Sequence, residues 1–214
     1  MARLVLVRHG ETTANIRQQL DTALPGAHLT DFGASQGIRF GLNNPLSAPA
    51  VLLSSHAHRA RQTAELIASA WDVDTAAIDD VHEVQAGDLE GRSDREAHEL
   101  FRNVVEAWYR GDQDTRLPGG ESLEMLRDRY LPVINDLADR HLLSADPRDV
   151  YVVSHGAAIR LVAAHLAGVE SDFAFKNHLR NTDSVELELT PQGWELRRWG
   201  SVTEFVTDDD EPLG

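Results

Sequence analysis

The stretch Leu4-Val5-Leu6-Val7-Arg8-His9-Gly10 joins four apolar residues directly to an arginine, a histidine and a glycine. A continuous apolar run that ends in polar residues predicts a short strand in a sheet covered on both faces. Such a strand delivers a guanidinium and an imidazole to one point at its carboxyl end. A cation beside a nucleophile suits phosphoryl transfer, where catalysis rests mainly on positioning and charge stabilisation.

Two further strands of the same kind are predicted at residues 51–53 and 150–153. The first ends in Ser54-Ser55, and the second ends in Ser154-His155-Gly156. In open α/β sheets, ligands bind beyond the carboxyl ends of the strands. Glycine lets backbone approach a ligand closely, and the helix expected after Gly156 would point its N-terminal amides toward a bound anion. We therefore expect these strand ends to build one site.

Helical periodicity occurs between the strands, and Thr30 is a plausible N-cap for a helix that stops around Gly41. Further along, residues 185–189 alternate as a half-exposed strand should, and residues 194–199 could pair with them across the Pro191-Gln192-Gly193 turn. The other predicted helices cover residues 59–71, 122–143 and 157–166, the last with a glycine stop at Gly168. This order predicts an α/β fold, a three-layer sandwich whose mostly parallel central sheet is flanked by helices.

We expect residues 1–205 to form one domain, with a small helical lid insertion at about 91–122, and residues 206–214 to form an acidic flexible tail. Segments inserted near strand ends tend to shape substrate choice. Trp108 and Tyr109 are kept as candidate pocket walls, although packing is the commoner role of such residues. Arg110 and Arg116 could meet a substrate carboxylate or second phosphate, although solvated salt bridges are commoner.

Composition narrows the function classes. The 214 residues carry a net charge of −15, with 42% hydrophobic residues, mean hydropathy −0.34 and no cysteine. A chain this acidic is not expected to bind nucleic acid or anionic membranes, because proteins bind both through lysine and arginine side chains. No apolar run is long enough to span a bilayer, and no signal-peptide pattern is present, so we expect a cytoplasmic location. The expected binding partner is a small phosphorylated substrate. A homodimer is compatible with the sequence.

Five ordered blocks together resemble the histidine phosphatase superfamily, the phosphoglycerate-mutase-like group, over residues 3 to about 190. They are Arg8-His9-Gly10 with Asn15, Ser54-Ser55 with Arg59, Thr63 and Ala64, Glu83 with Gly87 and Glu90-Gly91, Gly119-Gly120-Glu121, and Val153-Ser154-His155-Gly156. One departure is the stretch from Leu20 to Thr30, which is longer than the family's usual turn there.

The resemblance implies that His9 is the phosphorylated nucleophile and that Glu83 is the proton donor. It also implies a phosphate pocket made by Arg8, Arg59 and His155, with Asn15 and Gly156 as phosphate contacts. For His9 to present a bare nitrogen to phosphorus, its other nitrogen should donate to a backbone carbonyl.

Glu83 must hold a proton near neutral pH, through burial or a neighbouring carboxylate such as Glu90 or Asp88. Thr12 and Arg61 are two further candidates for phosphate contacts. Thr12 could bind phosphate or cap a helix, and Arg61 is more often a surface residue than a second clamp.

The resemblance also bears on the reaction. The sequence after Glu83 is similar to the phosphatase branch, so we expect a metal-independent phosphomonoesterase of the histidine acid phosphatase type. Phosphoglycerate-mutase-type phosphoryl transfer is one alternative, and a non-catalytic phospho-ligand binding protein is the other. No cofactor and no metal are expected, because Arg8 and Arg59 would repel a cation.

Overall fold

Six strands form a single mixed sheet in the computed structural model, which describes residues 2–202. They are β1 (Arg3–Arg8), β2 (Ala50–Ser55), β3 (Ala76–Ile78), β4 (Asp149–Ser154), β5 (Ser184–Thr190) and β6 (Gly193–Trp199). Their order is β3-β2-β4-β1-β5-β6. The first four strands are parallel to one another, β5 is antiparallel to β1, and β6 is antiparallel to β5. The predicted α/β fold with a mostly parallel sheet is confirmed, and so is the pairing of residues 194–199 with 185–189.

Seven α-helices and a short 3-10 helix, Gly87–Leu89, accompany the sheet in the described part of the chain. The α-helices are α1 (Thr13–Ile16), α2 (Asp31–Asn43), α3 (His58–Trp71), α4 (Arg95–Tyr109), α5 (Leu123–Leu137), α6 (Gly156–Ala167) and α7 (Ser171–Lys176). Thr30 caps α2 by accepting from the amide of Gly33, as predicted. Gly168 ends α6 in the left-handed conformation. The helix predicted over residues 122–143 stops as an α-helix at Leu137 and continues as a π-helical turn, Ala138–Leu142.

Side chains of β1 alternate between two apolar layers, which is why both faces of the sheet are covered. Leu4 and Leu6 face a core built with α4, α5 and α6. Val5 and Val7 face a second core built with α3. The sheet is therefore the middle layer, and its polar strand ends are left to form a site at one edge.

The segment predicted as a lid, residues 91–122, contains α4. Trp108 is buried in the same core as α5 and α6, and its indole N–H donates to the carbonyl of Thr115. Arg110 pairs with Glu106 on the protein surface. A lid function and the domain bounds stay predictions, and the predicted tail lies outside the described residues. No helix within residues 2–202 has the length and apolar character needed to cross a membrane.

Candidate active site

The carboxyl ends of β1, β4 and β2 lie side by side, because these three strands are neighbours and parallel. This placement brings His9, just after β1, close to His155, just after β4. The two imidazole centroids are 5.4 Å apart and tilted by 60°. The predicted convergence of the two histidine motifs is what the structure shows.

His9 is held in one orientation by backbone. Its Nδ1 lies 2.7 Å from the carbonyl oxygen of Gly10, so Nδ1 carries the proton and Nε2 is left bare. The main-chain N–H of Gly10 donates to Oγ1 of Thr63 at 3.0 Å, which fixes this turn against α3. Burial, together with the charges of Arg59 and Arg8, lowers the pKa of His9 well below its usual value. His9 therefore has the tautomer and charge state of a nucleophile.

Arg59 lies in the first turn of α3 and is 2% exposed. Its Nη1 donates to Oδ2 of Asp21 at 3.1 Å, and its Nη2 lies 3.0 Å from Nδ1 of His155. Burial lowers the pKa of Arg59, while Asp21 opposes that shift. Asp21 is thus the counter-ion of a guanidinium that is almost fully enclosed.

His155 has both ring nitrogens engaged. Nδ1 faces Arg59, and Nε2 lies 2.9 Å from Oγ of Ser55. Burial and the charge of Arg59 lower its pKa well below the usual value. A neutral ring that accepts from Arg59 fits these contacts, and the direct phosphate contact that the resemblance implies for His155 stays a prediction.

Arg8 reaches the site from the last position of β1. Its Nη1 donates to the carbonyl of Leu179 at 2.6 Å, and its Nε is buried with no hydrogen-bond partner among residues 2–202. A Cβ on Gly156 would lie 3.2 Å from that Nε, so glycine allows the guanidinium to lie against the start of α6. The guanidinium of Arg8 therefore packs against the first turn of α6, with its Nε–H enclosed.

Glu83 occupies the N-terminus of α6. Its Oε1 accepts from the amides of Val84 at 2.9 Å and Ala158 at 2.8 Å, and its Oε2 accepts from Ala157 at 3.1 Å. These are the helix amides that we expected to face a bound anion, so that expectation is wrong for this structure. The physical reason is that a carboxylate from the chain already satisfies the unpaired donors of the helix start.

One of the two predicted carboxylate neighbours of Glu83 is engaged elsewhere. Glu90 accepts from the amide and the hydroxyl of Thr22, at 2.6 to 3.0 Å. The contact fastens the segment after Leu20 to the segment that follows Glu83.

A second network supports the backbone that carries Glu83. Arg129 of α5 donates to the carbonyls of Asp80, His82 and Glu83, and it makes a two-pronged pair with Glu121. Glu121 in turn accepts from the amide of Gln85 at 2.9 Å. Burial opposes ionisation of Glu121, yet Arg129 outweighs it and lowers the pKa of this carboxyl. The pair fixes the position of the Glu83 carbonyl.

A cavity of about 140 Å³ opens at this point. The side chains predicted for the site that line it are Arg8, His9, Asn15, Arg59 and Glu83. The cavity lining does not include His155 or Gly156. The remaining lining residues are Gln19, Leu20, Asp21, Thr22, Phe101 and Ala157.

Two predicted phosphate contacts do not reach the cavity. Thr12 is fully buried, and its hydroxyl caps α1 by accepting from the amide of Asn15 at 3.0 Å. Arg61 is half exposed and lies 3.9 Å from Glu65, one helical turn along α3. Thr12 therefore has the capping role that we weighed, and Arg61 the surface role.

Among the contributors that the sequence did not single out, three bear directly on the site. Asp21 and Phe101 line the cavity, and Asn181 donates to the carbonyl of His9 at 3.0 Å and to Oδ1 of Asn15 at 3.2 Å. The unusual length of residues 20–30 was the one available signal for Asp21. Residues 2–202 contain no group of three or more His, Cys, Asp or Glu that could hold a metal ion.

Comparison with known proteins defines the class. The model of the histidine phosphatase superfamily (branch 1) matches residues 4–202, so the chain belongs to that superfamily. A metal-independent phosphoserine phosphatase from Arabidopsis thaliana is 27% identical over 209 residues, covering 95% of this chain and 83% of that protein.

Two further similarities come from bacteria. A Salmonella paratyphi C protein named "probable phosphoglycerate mutase GpmB" is 30% identical over 212 residues, covering 95% of this chain and 94% of that protein. The crystal structure of the alpha-ribazole phosphatase from Shigella flexneri has a TM-score of 0.72 at 25% identity, covering 93% of this chain and 96% of that one. The superfamily thus includes both phosphatases and proteins named as mutases.

Proposed function

We propose that the protein is a metal-independent phosphomonoesterase that hydrolyses a small phosphorylated metabolite through a phosphohistidine on His9. The observation that carries this proposal is the His9 ring, whose Nδ1 is tied to the Gly10 carbonyl at 2.7 Å while the ring lines a cavity between two arginines. A neutral imidazole with a bare Nε2 can attack phosphorus without first losing a proton.

In the first step, Nε2 of His9 attacks the phosphorus atom, and the bond from phosphorus to the ester oxygen breaks. Arg8 and Arg59 neutralise the non-bridging oxygens and align them for in-line displacement. Glu83 gives its proton to the departing alkoxide, so an alcohol leaves and a phosphohistidine remains.

In the second step, water attacks phosphohistidine and loses a proton to the Glu83 carboxylate. Inorganic phosphate leaves, neutral His9 is restored, and Glu83 again holds a proton. The two amides at the start of α6 keep the Glu83 carboxyl in place between the steps.

The likeness to the Arabidopsis phosphatase and to the Shigella phosphatase supports hydrolysis. Sugar phosphates, phosphoglycerate derivatives and phosphoamino acids are the substrate classes to compare. The setting proposed is the cytoplasm, with neither nucleic acid nor membrane as partner, in keeping with the net charge of −15.

Mutase activity is the second candidate, favoured by the 30% identity to the GpmB protein. Phosphoglycerate would place a carboxylate as well as a phosphate in the site. Arg8 and Arg59 are the only cationic side chains among the described residues that line the cavity, and the phosphate needs both. This charge balance favours hydrolysis over phosphoglycerate transfer.

A chromogenic phosphate ester, assayed with a chelator present, tests the proposal directly. We expect turnover that falls by at least about 10³-fold in His9→Ala, together with acid-labile labelling of the wild type by a radioactive phosphate ester. Arg61→Gln is the matched control and keeps wild-type rates, since Arg61 lies outside the cavity. Phosphoglycerate isomerised without phosphate release would favour the mutase instead. Ligand binding without turnover would favour the binding protein.

A further inference from the structure

Asp21 places a negative charge inside a cavity proposed to bind a dianion. Its Oδ2 contacts Nη1 of Arg59 at 3.1 Å, and its side chain is 20% exposed. Asp21 therefore offsets part of the positive charge that Arg59 could offer a phosphoryl group, and screening by water is weak at this depth. The substrate must therefore either displace Asp21 or compensate its charge.

Displacement is opposed by the way this segment is anchored. Oδ2 of Asp21 also accepts from the amide of Ala27 at 3.0 Å. The next residue, Thr22, is held through its amide and hydroxyl by Glu90, and its carbonyl accepts from Gln85. A Cβ on Gly26 would clash with Nη1 of Arg59, so the loop backbone packs directly on the guanidinium. Asp21 is fixed beside Arg59 by contacts on both of its flanks.

Charge counting then indicates what the substrate must supply. The charged side chains of the described cavity lining are Arg8, Arg59, Asp21 and Glu83. His9 is neutral, because burial and the two arginines lower its pKa. The two arginines contribute two positive charges and Asp21 subtracts one, so the lining offers a phosphomonoester at most one net positive charge. A phosphomonoester dianion then leaves at least one negative charge unbalanced in the cavity, and Asp21 is a fixed source of it.

We infer that Asp21 is a specificity residue that binds an ammonium group of the substrate, so that the preferred substrates are phosphate esters of amino alcohols that carry no carboxylate. An ammonium supplies the missing positive charge and three N–H donors to an oxygen that can only accept. A hydroxyl supplies one donor and no charge, and an alkyl group supplies neither. This inference rests on the proposed phosphatase function of the same cavity.

Isosteric esters separate these cases. We would measure kcat/KM for 2-aminoethyl phosphate, 2-hydroxyethyl phosphate and propyl phosphate, and for 3-aminopropyl against butyl phosphate. The wild type should prefer an amino ester over its alkyl match by about tenfold or more, the factor expected from one charge-assisted hydrogen bond.

Asp21→Asn is the informative variant, because asparagine keeps an oxygen for the Ala27 amide and loses only the charge. It should abolish the preference for amino esters and raise the rate with propyl phosphate, because the charge of Arg59 is no longer offset. Asp128→Asn, which removes one exposed carboxylate on α5, is the matched control and keeps the wild-type preference. A wild type without preference, or an Asp21→Asn enzyme that keeps it, would overturn the inference.

Binding measurements keep this inference separable from the proposed function. Calorimetry with the same esters on His9→Ala, and on His9→Ala with Asp21→Asn, requires no turnover. Tighter binding of amino esters that depends on Asp21, in a protein whose wild type hydrolyses none of them, would refute the phosphatase proposal and support the ammonium site. Hydrolysis of all esters at equal rates would support the phosphatase proposal and refute the ammonium site.

Discussion

Arg59 donates an N–H to Nδ1 of His155 across 3.0 Å, and this contact fixes the proton of the imidazole. A guanidinium has five donors and no acceptor, so Nδ1 of His155 must accept. The ring proton is then on Nε2, which donates to Oγ of Ser55 at 2.9 Å. His155 therefore orients Arg59 and adds no positive charge of its own. The cationic part of the site consists of two arginines.

The first prediction concerns the charge of His155. In the ligand-free protein at pH 5.5 we expect a neutral ring, because burial and Arg59 lower its pKa well below the usual value. An unperturbed histidine would be about 90% protonated at that pH. Nitrogen-15 NMR of the histidine rings distinguishes the neutral from the protonated ring. A doubly protonated His155 ring at pH 5.5 would contradict the tautomer assigned here.

If Glu83 is a general acid, the loss of rate in Glu83→Gln should depend on how much the leaving group needs a proton. For alkyl phosphates we expect kcat to fall by about 10²- to 10³-fold, because their alkoxides need a proton as they depart. For p-nitrophenyl phosphate the rate of the first step should fall by less than about tenfold, since the phenolate leaves without needing a proton. Burst kinetics separate this step from hydrolysis of the intermediate. Equal losses with both esters would mean that Glu83 only positions the substrate.

Arg129→Gln tests whether the pair with Glu121 positions Glu83. It removes donors to the carbonyls of His82 and Glu83, so we expect the same leaving-group dependence as in Glu83→Gln, with a smaller loss. Breaking a buried pair should also reduce the free energy of unfolding by about 3 kcal/mol. Arg127→Gln on the same helix is the control. A stability loss with an unaltered leaving-group dependence would leave Arg129 a purely structural role.

Much of the fold could be predicted because its signals are local. The apolar runs of β1, β2 and β4 and the alternation in β5 each indicate a strand within a few residues. β3 was not predicted, since Ala76–Ile78 is a three-residue edge strand with no alternation to detect. The π-helical turn after α5 was also missed, because residues 138–142 continue a helical pattern whose change of hydrogen bonding leaves no mark in periodicity.

The site was predictable where a motif carries its own geometry. Arg8, His9 and His155 follow directly from strand ends, and their convergence needs only parallel neighbouring strands. The contact between Glu83 and the amides of α6 joins residues 74 and 75 positions apart, which no local pattern encodes. The pair between Asp21 and Arg59 depends on how residues 20–30 cross the cavity, and loops of this kind have no periodicity to interpret.

Gly156→Ala should weaken phosphate binding without unfolding the protein. The added methyl group would lie 3.2 Å from Nε and 3.3 Å from Cδ of Arg8, closer than side chains normally approach. Alanine favours a helix more than glycine does, so the stability of α6 should not fall. We expect KM to rise roughly fivefold from a displaced guanidinium. Unchanged KM with unchanged stability would show that Arg8 tolerates the shift and that its position is not critical.

The last prediction is that acid destabilises the protein through its buried histidines. The pKa values of His9 and His155 are lowered on folding, so below about pH 6.5 the unfolded chain binds protons that the folded chain does not. Stability then rises with pH through this range and is lost as the pH falls.

When the pH is lowered from 7.5 to 5.5, each histidine that stays neutral in the folded protein should reduce the free energy of unfolding by about 1.4 kcal/mol. Glu121 does not contribute in this window, because its lowered pKa keeps it ionised in both states. Urea unfolding at the two pH values measures the total loss, and the loss should be smaller by about 1.4 kcal/mol in His155→Asn. His82, His165 and His178 also have lowered pKa values, so only the difference between wild type and variant assigns the effect to one ring. Equal losses in both proteins would show that His155 binds a proton in the folded state, and the Arg59 contact could not then be as described.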